Sequence, residues 1–398
     1  MERKAFRAKK IVTMGEQGDV ENGIMLTAGG KVEQVGAEGE LEIPNSAERY
    51  DFTDKVLLPG FVDAHSHLGI HEDAEGWEGQ DTNEMTDPVT PQLRGIDGLN
   101  PEDLGLQDAA VAGVTTVNTG PGSGNVIGGQ FVAVKTGGAS VVEDKVISEP
   151  TAMKMATGEN PKRVYREKDS MPSTRTGTAA KLRQALFDAQ NYRERKSEGE
   201  KGFKKDFGLE SLLPVLKGEL KAKIHAHRAD DIVTAVRIAE EFGLSYSIEH
   251  CTEGHKVAQF LAERGAEAVA GPFFTSRSKR ELMQRSFRTP GILSDAGVKV
   301  AITTDAPVVP IQYLPLMAGF CIREGMDERS ALRAITIDSA EIAGVGDRVG
   351  SLEEGKDADF IVAEDLPLRV DSKVEEVYLE GEKIDLERLP HVDQPRTY

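Results

Sequence analysis

The chain has 398 residues, enough for one large domain with a smaller one beside it. Apolar residues make up 39% and charged residues 29%, a composition unlike that of a disordered or fibrous protein. With 67 acidic against 48 basic residues the formal net charge is -19, which disfavours nucleic acid and anionic membrane as partners.

The N-terminus, MERKAFRAKKIV, is basic but lacks the apolar stretch and cleavage site of a secretory signal. Nowhere does an apolar run reach the roughly 18 residues that span a bilayer. The two cysteines, Cys251 and Cys321, are too few for a disulfide framework. Together these features give a cytoplasmic location as the expectation.

The first sixty residues read as short strands broken by turns. KKIVTM, GIMLTAGGKVEQVG and KVLLPGFVDAH alternate or run apolar for a few residues, with Gly-Gly and Pro-Gly between them. Strand-like stretches return in DADFIVAED and KVEEVYLEGEKI near the far end. A small β-sandwich built from both chain ends is the economical expectation, taking residues 1–58 and 346–398.

Between them, residues 59–345 read as strand-then-helix units. VAGVTTVNTG, LKAKIHAHRA, GLSYSIEHCTE, GAEAVAGPFF and VKVAITTDAP are short apolar runs that end in Gly, His, Asp or Pro. DDIVTAVRIAEEFG, EGHKVAQFLAERG and ERSALRAITIDSAEIAG carry helical spacing. The alternation predicts an α/β fold with a parallel sheet, and the number of units favours a (β/α)8 barrel of the TIM type. Residues 160–207 interrupt the rhythm with a polar, basic stretch expected to hold one long helix, serving as a lid, an oligomer contact or a passive surface.

The chemistry-bearing residues lie at strand ends. In PGFVDAHSHLG, His65 and His67 are two apart, so a strand presents both imidazoles on one side, with Asp63 on the same face. KIHAH offers His225 and His227, YSIEHCTEGH offers His250 and His255, and AITTDAP offers Asp305. These regions hold six of the eight histidines, a concentration that structural histidines alone do not explain. Nitrogen and oxygen ligands of this kind suit zinc, with manganese, iron or cobalt as alternatives.

These motifs resemble the amidohydrolase superfamily, in its imidazolonepropionase-like and prolidase-like branches, over nearly the whole chain. PGFVDAHSH is similar to that family's His-X-His motif on the first barrel strand. His225, His250 and Asp305 resemble the residues that end strands five, six and eight, with His227 an alternative to His225. GSLEEGKDADFIV is similar to the family's return into its small β-sandwich. The resemblance implies a hydrolase of carbon–nitrogen bonds that uses one or two divalent ions. It also implies that Lys154 is the position of a carboxylated lysine, for which Glu159 is the alternative carboxylate. Asp305 is then the general base and His250 a ligand or an oxyanion partner.

For substrate contacts, the Gly-rich stretch Asn118 to Gln130 is open enough for close approach, which makes Gln130 a candidate. Lys162 and Arg163 in GENPKR, Arg228, and Arg277, Lys279 and Arg280 in FFTSRSKRE are candidates for pairing with a substrate carboxylate. The expected substrate is a small amide, cyclic amide or peptide-like molecule, handled by a chain that is compatible with a homo-oligomer. Arg228 stands three positions after His225, where the family's deaminases and imidazolonepropionase commonly carry Glu or Gln. That departure ranks deamination of a nitrogen heterocycle second; a catalytically silent binding barrel comes third because all four ligand regions are present.

Overall fold

The computed structural model describes residues 2–138 and 140–385; residues 386–398 of the expected second β segment lie outside the described residues. The chain opens with strands β1 (Arg3–Ile11), β2 (Val20–Ala28), β3 (Lys31–Ala37) and β4 (Glu48–Pro59). It then runs through β5 (Phe61–Ser66), β6 (Val114–Thr119), β7 (Ile127–Lys135), β8 (Val146–Ala156), β9 (Lys221–Ala226), β10 (Tyr246–His250), β11 (Glu267–Ala270) and β12 (Lys299–Ile302). It closes with β13 (Phe360–Ala363), β14 (Val374–Leu379) and β15 (Glu382–Lys383).

Strands from the two ends form one seven-stranded sheet in the order β15-β14-β13-β4-β1-β2-β3. Alternation along β1 and β2 gives this sheet two apolar faces. Phe6, Ala8 and Met25 join Leu57 and Phe360 on one side, while Ala5, Ile24 and Leu26 pack on the other. Phe6 stacks on Tyr50 at 4.7 Å between ring centres and meets Phe360 at 4.9 Å and Tyr378 at 5.4 Å, so one aromatic cluster joins the chain ends. An ionic link fastens this sheet to the barrel: Lys135 on β7 lies 2.9 Å from Asp357 and 3.0 Å from Asp359.

The remaining eight strands form a second sheet in sequence order, β5 to β12. All its ladders are parallel except those of β7, which is antiparallel to both β6 and β8. This departs from the all-parallel expectation, and the cause is local. Only Gly120–Val126 joins β6 to β7, whereas a parallel crossover needs about a dozen residues or more. The Gly-rich stretch is therefore a hairpin connection. Gly120 must be glycine there, because a Cβ would come within 2.3 Å of the Phe131 ring.

The seam between β12 and β5 is closed by side chains. Thr303 Oγ1 donates to the His65 carbonyl at 2.6 Å, and Thr304 N and Oγ1 donate to Asp63 Oδ2 at 3.0 and 2.7 Å. Asp63 also accepts from His65 N at 3.0 Å. Its carboxylate thus fixes the strand that bears His65 and His67.

Ala229–Phe242 forms the helix its spacing predicts, stopped by Gly243 in the left-handed conformation at φ +65°. The stretch ERSALRAITIDSAEIAG splits into Glu328–Arg333 and Ile337–Ile342. Within 160–207 the long helix is Arg175–Ser197, 23 residues, and one of its faces is packed into the molecule. Thr178, Leu182, Ala185, Leu186, Ala189 and Tyr192 are buried at helical spacing, and most of the apolar ones belong to the main core. This helix is part of the β8-to-β9 crossover. No helix of the described residues is long and apolar enough to cross a membrane.

Candidate metal centre

Five imidazoles, one carboxylate and one amine meet at the end of the barrel where β5, β8, β9, β10 and β12 finish. His65 and His67 come from β5 and the residue beyond it, with ring centres 5.3 Å apart. His225 and His227 follow along and after β9 at 4.6 Å, and His250 ends β10 at 4.5 Å from His225 and 5.1 Å from His65. Asp305, just past β12, places Oδ1 3.3 Å from His67 Nε2 and 3.6 Å from His65 Nε2. Lys154 on β8 brings Nζ to 3.0 Å from His65 Nε2.

Strand ends alone do not produce this convergence. His250 has φ +68° and Asp305 φ +55°, left-handed conformations unusual for residues with a Cβ and of the kind held at functional sites. In a regular strand Glu249 and His250 would face opposite sides. The turn at His250 brings both inward.

In every ring but that of His225, Nδ1 faces a partner. His67 Nδ1 donates to Gly120 O at 2.7 Å, and His250 Nδ1 donates to Gly271 O at 3.0 Å. His227 Nδ1 lies 2.8 Å from Thr252 Oγ1. His65 Nδ1 faces Glu249 Oε2 at 2.6 Å, slightly out of line for a hydrogen bond, and the same oxygen lies 3.0 Å from Lys223 Nζ. His65, Lys223 and Glu249 are fully buried. Hydrogen bonds at Nδ1 leave the Nε2 lone pairs of His67 and His250 free to ligate.

Burial sets the charge states. It holds His65, His225 and His227 well below the usual imidazole range, and it pushes His250 down to about 4, so these rings are neutral near pH 7. Burial opposes ionisation of Asp305, but His250 and His67 outweigh it and keep the group well below the normal carboxylate range. Lys154 is pushed down to about 8, again chiefly by burial.

This donor set fits a divalent cation. Ligand atoms of His225, His227 and His250 lie within 4.8 Å of one another, as do those of His65, His250 and Asp305, so His250 is common to both groups. Asp305 Oδ1 and His225 Nδ1 are buried without a hydrogen-bond partner among the described residues. Neutral imidazoles and an ionised carboxylate are the protonation states that ligation requires.

The other residues singled out from sequence are dispersed. His255 bonds Thr289 Oγ1 and stays outside the cluster. Glu159 starts the helix Glu159–Arg166 and lines a neighbouring concavity with Arg163 and Arg228. Arg228 is held by Asp230 at 2.9 and 2.8 Å, and Gln130 Nε2 donates to Pro91 O at 3.2 Å. Arg277 is exposed on the loop after β11.

Sequence reasoning missed Glu249 and Lys223. Lys223, two before His225, was legible by alternation; Glu249 was not. We expect Glu249→Gln to weaken zinc binding about 10- to 100-fold, as removal of a carboxylate partner of a ligand histidine does. Competition with a chromogenic chelator measures this, and unchanged affinity would assign the Glu249–Lys223 pair to the fold alone.

The model of the amidohydrolase family matches residues 215–384. A solved structure of an amidohydrolase from Thermotoga maritima MSB8 is 41% identical, covers 95% of this chain and 98% of its own, and superposes with a TM-score of 0.90. The chain belongs to the amidohydrolase family, whose members hydrolyse carbon–nitrogen bonds. Amidohydrolase tasK of Hapsidospora irregularis is 30% identical over 85% of the chain, which spans 37% of that protein's length. The imidazolonepropionase of Erwinia tasmaniensis is 24% identical, with 88% of this chain and 89% of that protein covered.

Proposed function

We propose that this protein is a metal-dependent hydrolase that cleaves an amide, cyclic amide or peptide-like bond in a small, carboxylate-bearing molecule. The observation that carries the reading is the convergence of His65, His67, His225, His227, His250 and Asp305 around one small volume, with Lys154 at its edge. Zinc suits these ligands best, with manganese, iron or cobalt able to replace it. When bound, a divalent cation lowers the pKa of a water and polarises the scissile carbonyl.

Asp305 accepts the proton of the attacking water and passes it to the leaving nitrogen. His250 donates through Nδ1 to Gly271, which leaves Nε2 as a lone pair and favours ligation over oxyanion hydrogen bonding. Lys154, buried and with a lowered pKa, would add its neutral amine to carbon dioxide, forming the N–C bond and releasing one proton, and the carbamate would offer the site a further anionic ligand.

Substrate charge meets Lys279, whose field reaches His225 and His227 and whose Nζ lies 2.9 Å from Asn160 Oδ1. Asn160 Nδ2 is in turn 3.4 Å from His225 Nε2. The reading places the protein in the cytoplasm, with residues 59–345 as the catalytic domain and 1–58 with 346–398 as the small one. A screen of N-acyl amino acids, dipeptides and cyclic ureides with zinc- or manganese-loaded protein tests it. Turnover of one class, abolished by chelation and restored by metal, is expected; ammonia release from aminated rings with no amide cleaved would overturn it.

A further inference from the structure

Beside the candidate centre is a concavity of about 630 Å³ lined wholly by charged side chains. Its acids are Glu159 and Glu167; its cations include Lys162, Arg163, Arg166 and Arg280. None of these four has a side-chain hydrogen bond or ion pair among the described residues. Arg175 and Arg228 also face it, but Asp231 holds the first and Asp230 the second. In a chain with 67 acids for 48 bases, four unpartnered cations gathered in one hollow run against the overall balance.

The hollow is continuous in chain with the centre. Arg228 follows His227, Arg280 follows Lys279, and Glu159 and Lys162 flank Asn160, whose amide approaches His225. Positions 159, 162, 163 and 166 share one helix face, so the helix Glu159–Arg166 turns its basic side to the concavity while Asn160 reaches the imidazoles. Buried Glu281 fixes this arrangement, accepting from Glu159 N at 2.7 Å and lying 3.4 Å from Lys279 Nζ.

We propose that the concavity formed by Lys162, Arg163, Arg166 and Arg280 is a second recognition subsite, which binds a dianionic group on the substrate at a distance from the bond cleaved. The inference rests on the hydrolase reading and narrows its substrate class to molecules with a doubly charged remote end. Four free cations against two acids leave a surplus of two, which a single carboxylate does not match. Guanidinium forks bind either a phosphate monoester or a pair of carboxylates, as in an acidic peptide. Because Arg163, Arg166 and Arg280 are exposed, the attraction is screened by salt.

The test uses the full chain loaded with metal, and the variant Arg166→Gln/Arg280→Gln, whose side chains lie at the surface. Inorganic phosphate and glutarate are titrated calorimetrically into both proteins at low and high salt. At least one probe should bind the wild type, at least about tenfold more weakly in the variant, with affinity falling as salt rises; which one binds distinguishes phosphate from dicarboxylate. In hydrolysis, the preference in kcat/KM for a dianionic over a neutral amide should fall at least about tenfold. Equal binding by the two proteins, or no binding, together with an unchanged preference would overturn the subsite. Absence of all amide hydrolysis by the wild type would instead defeat the hydrolase reading, leaving the titration to decide the subsite on its own.

Discussion

Asp305→Asn is expected to lower kcat by at least about a thousandfold, within the range for removal of a general base, while the fold persists. The side chain is almost enclosed, and its carboxylate lies within 3.3 to 3.9 Å of ring nitrogens of His67, His65 and His250. Asn keeps the volume but presents neither the negative charge nor a site for the water's proton. Its backbone amide still donates to Thr303 Oγ1, so the turn after β12 is retained. Circular dichroism and steady-state kinetics on the best substrate of the screen measure the two effects separately. Wild-type turnover in the variant would remove Asp305 from the mechanism.

Lys154→Met is the second large effect, and its readout is stoichiometric. Lys154 is fully buried, 3.0 Å from His65 Nε2 and 5.6 Å from the centre of the Phe131 ring. A protonated amine there would repel a cation; a carbamate would attract one, so the residue switches sign on modification. Met conserves the bulk and removes the reactive nitrogen. A wild type that holds two ions should fall to one in the variant, with bicarbonate having no effect on it. If both proteins bind the same number of ions, Lys154 acts only as a buried cation paired through its surroundings.

How far the sequence revealed this site depends on local geometry. His65 and His67 were legible because a strand repeats every two residues, and Asp305 because an apolar run ends just before it. The small sheet was legible from its alternation at both ends. The inverted strand β7 was not, because a Gly-rich hairpin and a Gly-rich ligand loop have the same composition. Glu249 was hidden by the left-handed turn at His250, which breaks the alternation used to assign faces. The basic hollow was half visible: Lys162, Arg163 and Arg280 stood out in their motifs. Arg166 joined them only through the helix Glu159–Arg166; Arg228 faces the hollow but is held by Asp230, Gln130 bonds Pro91, and Arg277 lies exposed on the loop after β11.

Equilibrium dialysis of chelator-stripped protein against zinc, read by elemental analysis, addresses the shared-cation claim without needing a substrate. At least one tightly held ion per chain is expected at neutral pH, with release on acidification and loss in His65→Asn/His225→Asn. A folded wild type that takes up neither zinc nor manganese, or a double variant that binds as well as the wild type, would contradict it.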